Sequence, residues 1–172
     1  MNRFIIAVTL SSALALSACK KDPPETTPPP PADVVTSPTP TPTSAPVGPQ
    51  PGSQAHFSSA MMGADTIYFD TDRYNIDNED MAALRRQAEY MLQYTGSTAT
   101  VEGHADERGT RDYNLALGER RANAAKNYLV SLGVPATRLR TVSYGEERPV
   151  ATGSTEQAWA RNRRSVTVMI SR

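Results

Sequence analysis

Asp106 and Arg121 are the two residues of this chain whose types and spacing could do chemistry together. Asp106 lies in a polar turn, Ala105 to Thr110, that follows a strand-like run carrying β-branched Thr98, Thr100 and Val101. Arg121 interrupts an apolar helical stripe. Tyr113, Leu117 and Arg121 stand four apart, and Ala124, Ala125, Tyr128, Leu129 and Leu132 continue that face until Gly133 stops it. A strand, a loop carrying a carboxylate and a helix turning a guanidinium inward predict a charge pair over a shallow cleft. A carboxylate takes an ammonium and a guanidinium takes a carboxylate, so together they suit a zwitterionic amino-acid centre. The competing role is a plain ion pair tying loop to helix, which at an exposed position is worth about 0–1 kcal/mol.

A second chemistry starts from the same strand. Glu102, His104, Asp106 and Glu107 form an E-x-H-x-D cluster that raises a metal-dependent hydrolase. Strand alternation, however, turns Glu102, His104 and Asp106 to one face of a single segment. The other histidine, His56, falls at the edge of a proline-rich tail. A catalytic zinc takes three protein ligands with ordered partners behind them. No Ser-His-Asp or Cys-His grouping is visible, because the one cysteine is Cys19, far from this segment. The residues therefore read as a non-enzymatic binding site with no metal and no cofactor.

The elements that must position these groups follow in order. Ile67 to Phe69 predicts a first strand, and Asp77 or Asn78 caps a helix whose apolar face is Met81, Leu84, Ala88, Met91 and Leu92. Ser97 to Gly103 is the second strand, followed by the loop and helix already described. Gly133 and Pro135 close that helix, and Leu139 to Tyr144 is a third strand. After a loop, Thr155 to Asn162 makes a short helix with Trp159, and Val166 to Ile170 alternates as a last strand. The order βαβαβ(α)β predicts an α+β, two-layer sandwich with helices on one face of a mixed sheet. Arg108, Arg111, Arg120, Arg163 and Arg164 read as solvated or partner-facing charges outside the cleft, and Asn114 as ordering the loop.

Composition splits the chain. Twelve of the fourteen prolines lie between Pro23 and Pro51, leaving a tail and a domain of residues 55–172. That domain carries fifteen Asp/Glu and fifteen Lys/Arg, so no broad basic field exists to attract nucleic acid. Residues 1–18 begin with Arg3 and an apolar run, Phe4 to Leu16, too short to span a bilayer; they read as a secretory signal. Leu16-Ser17-Ala18-Cys19 resembles the lipobox of bacterial lipoproteins, in which the cysteine is acylated and becomes the mature N-terminus. By the same resemblance, Lys20 in place of an aspartate favours sorting to the outer membrane. Residues 19–54 are otherwise rich in Pro, Thr, Ser and Ala and predict a disordered tether.

EGHADERGT, YNLALGERRANA, VSYGEERPV and NRR, in that order, resemble the peptidoglycan-associated lipoproteins of the Tol-Pal system, within the wider OmpA C-terminal-like domains. The likeness covers about residues 65–172. It implies a lipid-anchored protein of the outer membrane, facing the periplasm, that binds peptidoglycan through the diaminopimelate of its stem peptides. It implies TolB and other Tol proteins as partners, with a wall-anchoring lipoprotein outside the Tol system as the alternative. Asp106 and Arg121, fifteen apart as in the family motif, would hold the zwitterionic end of diaminopimelate. Asp72, thirty-four positions before Asp106, aligns with a further ligand contact, and Leu117 with an apolar one. One departure is Asn75 in FDTDRYNI, where the family commonly has aspartate.

Overall fold

Each α-helix of the domain begins where the sequence supplies an oxygen to cap it. Ser53 accepts the N–H of His56, Asp77 that of Asp80, Thr110 that of Tyr113 and Thr155 that of Ala158. The computed structural model describes residues 48–170. The signal segment, Cys19 and the tether as far as residue 47 lie outside the described residues. Element order is α1 (Gln54–Met61), β1 (Thr66–Tyr68), α2 (Asn78–Gln93), β2 (Thr98–His104), α3 (Arg111–Ser131), a 3-10 turn (Ala136–Arg138), β3 (Leu139–Gly145), α4 (Glu156–Asn162) and β4 (Arg164–Ile170).

The four strands form one mixed sheet in the order β1-β4-β2-β3. β4 runs antiparallel to both β1 and β2, whereas β2 and β3 are parallel, as the α3 crossover between them requires. Alternation along β2 turns Ala99, Val101 and Gly103 to the buried side and leaves Thr98, Thr100 and Glu102 half-buried on the other. The helical layer meets the buried side through Leu84, Ala88, Met91, Ala122, Ala125 and Leu129. The fold is therefore the α+β two-layer arrangement read from the sequence, with one helix more.

That extra helix is α1. It buries Phe57 and Met61 and is tied down at two points: Gln54 Oε1 accepts the N–H of Met169 at 2.6 Å, and His56 Nδ1 lies 2.7 Å from the Tyr90 hydroxyl. Two apolar residues four apart, next to a proline-rich stretch, are too short a signal for periodicity to find. In α2, Leu92 is exposed, and Tyr90 rather than Leu92 lies on the inner face. Tyr113 of α3 is likewise exposed, so the α3 stripe begins at Leu117.

The layers come closest where β2 crosses α3 at Gly103 and Gly118. A Cβ on Gly103 would lie 1.8 Å from the Gly118 carbonyl oxygen, and one on Gly118 would lie 2.3 Å from Ser143 Oγ. Backbone against backbone is the only packing that fits there. The crossing falls one turn before Arg121 and three residues before Asp106, so it sets the distance between the elements that carry them.

Candidate functional site

Strand β2 ends in a register shift between Gly103 and His104, and the Ala105 N–H continues to the Gly145 carbonyl at 2.8 Å. The chain then turns, with Asp106 at the start of the loop. The Asp106 carboxylate is 7% exposed and fully engaged. Its Oδ1 accepts the backbone N–H and the Nε–H of Arg108 at 3.1 and 3.0 Å; its Oδ2 accepts Arg108 Nη2 at 2.7 Å and Arg163 Nη1 at 3.3 Å. Burial pushes the carboxyl pKa up, but the hydrogen bonds and charges of Arg108 and Arg163 outweigh it and hold the group below its ordinary range.

Arg121 is fully buried on the inner face of α3. Its guanidinium donates to three backbone carbonyls: Nε to Arg73 at 2.9 Å, Nη1 to His104 at 2.7 Å and Nη2 to Asp70 at 3.1 Å. Burial lowers its pKa to about 10, so it stays charged at neutral pH. Five N–H groups less three leave one free donor on each Nη. The direct Asp106–Arg121 pair expected from the sequence is not made. Asp106 is answered by Arg108 and Arg163, and Arg121 by carbonyls, because the loop after β1 passes beneath α3 and brings its backbone to the guanidinium first.

The sequence-predicted residues nevertheless meet. Asp72, Asp106, Leu117 and Arg121 all line one cavity of about 300 Å³, together with Thr71, Arg108, Asn114 and Arg163. Asp72 is exposed and holds a left-handed backbone (φ 56°), a conformation that aspartate tolerates better than most residues. Leu117 supplies an apolar wall. The cavity thus offers a carboxylate, a buried guanidinium with two free donors and an apolar side, the set that a zwitterionic amino-acid centre needs.

Two arginines placed outside the cleft by the sequence reading belong in it. Arg163 is buried and donates to the Phe69 carbonyl at 3.0 Å, to Asp106 and to Glu156 Oε1 at 2.9 Å. Arg108 spans Asp106, Glu156 and the Trp159 ring, its Cζ 4.2 Å from the ring centroid. Nothing local marks Arg163, whose Phe69 and Asp106 partners lie in other elements; Arg108 is only two residues from Asp106, but its Glu156 and Trp159 contacts come from α4. Asn114 does order the loop, donating from Nδ2 to the Arg108 carbonyl at 3.0 Å and to Glu146.

The E-x-H-x-D cluster does not converge. His104 Nε2 stands 3.7 Å from Glu102 Oε2, while Asp106 turns into the cavity toward its arginines. Among the described residues, no group of three or more His, Cys, Asp or Glu could hold a metal ion. His104 is instead a buried neutral ring, with neither nitrogen hydrogen-bonded. Burial, then the charges of Arg164 and Arg148, lower its pKa from 6.5 to about 4. Glu102 pulls the other way, but at 3.7 Å and without a hydrogen bond it does not offset them.

A pH dependence follows. Unfolded, His104 accepts a proton near its ordinary value that the folded protein refuses, so its contribution is complete above about pH 6.5 and is lost as pH falls toward 4. The depressed Asp106 carboxylate adds a second loss only below its ordinary range, at lower pH. Urea unfolding should show stability lower by about 2 kcal/mol at pH 4.5 than at pH 7. His104→Phe should remove most of that difference; an undiminished fall in this variant would exclude His104 as its source.

Comparisons with known proteins agree with this architecture. The family model described as the OmpA family matches residues 68–163. A peptidoglycan-associated lipoprotein of Agrobacterium fabrum is 45% identical over 168 residues, 98% of this chain and 88% of that one. One from Mesorhizobium japonicum is 51% identical over 119 residues, 69% of this chain and 70% of that one. The crystal structure of the peptidoglycan-associated lipoprotein from Burkholderia pseudomallei superposes with a TM-score of 0.60 at 41% identity, covering 61% of this chain and 89% of that one.

Proposed function

Since the chain belongs to the OmpA family, among its peptidoglycan-associated lipoproteins, we propose that it binds peptidoglycan non-covalently and carries out no catalysis. The observation that carries this reading is the single cavity in which Asp72, Asp106, Leu117 and Arg121 converge. The ligand is the zwitterionic end of meso-diaminopimelate in un-crosslinked stem peptides. Its carboxylate meets the free Nη donors of Arg121, its ammonium meets Asp106 with Asp72 near by, and its methylenes lie against Leu117. Acylation of Cys19 anchors the protein in the outer membrane, with the domain in the periplasm, and so links that membrane to the wall. TolB and the other Tol proteins complete the assembly. Among the described residues no helix is long and apolar enough to cross a membrane.

Co-sedimentation with purified sacculi tests the site. Asp106→Asn removes the charge that meets the ammonium but keeps an acceptor, so binding to diaminopimelate-containing sacculi should weaken by about 2 kcal/mol, or some thirtyfold. The parent should also prefer these sacculi to lysine-containing ones. Equal binding by parent and variant would sink the assignment. Recovery of TolB with the parent protein separates the Tol role from wall anchoring alone.

A further inference from the structure

Asp106 is saturated before any ligand arrives. A carboxylate has about four lone-pair sites, and four donors already converge on this one: three from Arg108 and one from Arg163. An incoming ammonium must therefore displace a donor. The two arginines are not equivalent in this respect. The Arg163 side chain is 8% exposed and is held on three sides, by Phe69, Asp106 and Glu156. The Arg108 side chain is 36% exposed; besides Asp106 it donates from Nη2 to the exposed Thr71 Oγ1 at 3.3 Å, and it already touches an alternative resting place. Its Cζ lies 4.2 Å from the centroid of the Trp159 ring, and its Nη1 lies 3.7 Å from Glu156 Oε2, both on α4. Its backbone N–H would stay on Oδ1 if the side chain left.

We propose that Arg108 is a displaceable internal substitute for the ligand's ammonium, a gate over Asp106 that gives up the carboxylate and settles fully onto Trp159 and Glu156, which it already touches, when an amino-acid zwitterion enters. This rests on the cavity reading given above and adds an affinity threshold to it. A tethered guanidinium competes at high effective concentration, so a lone amine displaces it poorly. A zwitterion brings a carboxylate for Arg121 as well, and that second contact offsets the cost of moving Arg108. The gate thus sets a threshold: it weakens every ammonium ligand by the same factor, and a zwitterion that also engages Arg121 clears it where a lysine-type side chain, without the carboxylate, does not.

Calorimetric titration of the mature protein with two stem peptides, one bearing meso-diaminopimelate and one bearing lysine in its place, tests this. Arg108→Gln should bind the diaminopimelate peptide about fivefold more tightly than the parent, the loss of a partly exposed ion pair of about 1 kcal/mol. It should strengthen any measurable binding of the lysine peptide by the same factor, because both ligands bear the same cost of moving Arg108. Trp159→Leu removes the resting place and should weaken diaminopimelate binding in the parent background but not in Arg108→Gln, a coupling that a merely structural tryptophan would not show. Thermal unfolding of each variant establishes that it is folded. Arg108→Gln binding no more tightly than a parent that outbinds Asp106→Asn overturns the gate alone. Parent and Asp106→Asn binding alike overturns the cavity reading and the gate with it.

Discussion

Arg121→Lys should lower the unfolding free energy by about 2–4 kcal/mol and abolish wall binding together with it. The fork of Arg121 ties α3 to two other segments through three carbonyls: Asp70 and Arg73 in the loop after β1, and His104 at the end of β2. A lysine ammonium is a point donor on a narrower stem and cannot reach three carbonyls that approach from different directions. At least one buried carbonyl is then left without a partner, at about 1–3 kcal/mol each, and the ammonium is itself incompletely bonded. The shallow cleft expected from the sequence would have put the contribution of this charge at about 0–1 kcal/mol. Full burial of Arg121 removes the premise of that expectation. Urea unfolding followed by circular dichroism, with an unchanged denaturant slope, is the measurement. A midpoint equal to that of the parent would show that the carbonyl contacts are dispensable.

Gly103→Ala should be at least as damaging, although it adds one methyl group and touches no charge. The new Cβ would stand 1.8 Å from the Gly118 carbonyl oxygen and 3.1 Å from Ala122 Cβ. The first of these is helix backbone, which cannot turn aside as a flexible side chain could. Relief requires α3 to lift from β2, which loosens Ala122 and Ala125 from the core and moves Arg121 relative to Asp106. Overpacking of this kind costs about 3 kcal/mol or more. Gly63→Ala is the fitting control. Its Cβ meets nothing within 4 Å, so its cost is confined to its positive φ of 94°. A Gly103→Ala protein that unfolds at the same urea concentration as the parent would mean that the helix–strand approach is looser than described.

Much of the molecule was determined by the sequence alone because it depends on local periods and caps. Spacing of 3.6 turned Leu117, Arg121, Ala125 and Leu129 inward, alternation did the same for Ala99 and Val101, and the cap of α2, Asp77, was one of two candidates beside Asn78. Placement of Asp106 at the end of β2 and of Arg121 on the inner face of α3 needed only those rules; the β2–α3 crossing at Gly103 and Gly118 then sets how close the two come. Which atoms those charges meet was decided only by the tertiary structure. Arg121 finds its carbonyls 48 and 51 residues earlier and 17 residues earlier, and Asp106 finds Arg163 57 residues later. Periodicity says which way a side chain points, but a hydrogen-bond partner depends on where other segments run past it. That is why a pair read as Asp106 with Arg121 became two separate networks, why Arg108 and Arg163 moved from solvent into the cavity, and why α1 escaped notice. Its eight residues hold too short an apolar pattern to declare themselves, and it is the docking of Phe57, Gln54 and His56 onto β4 and α2 that secures it.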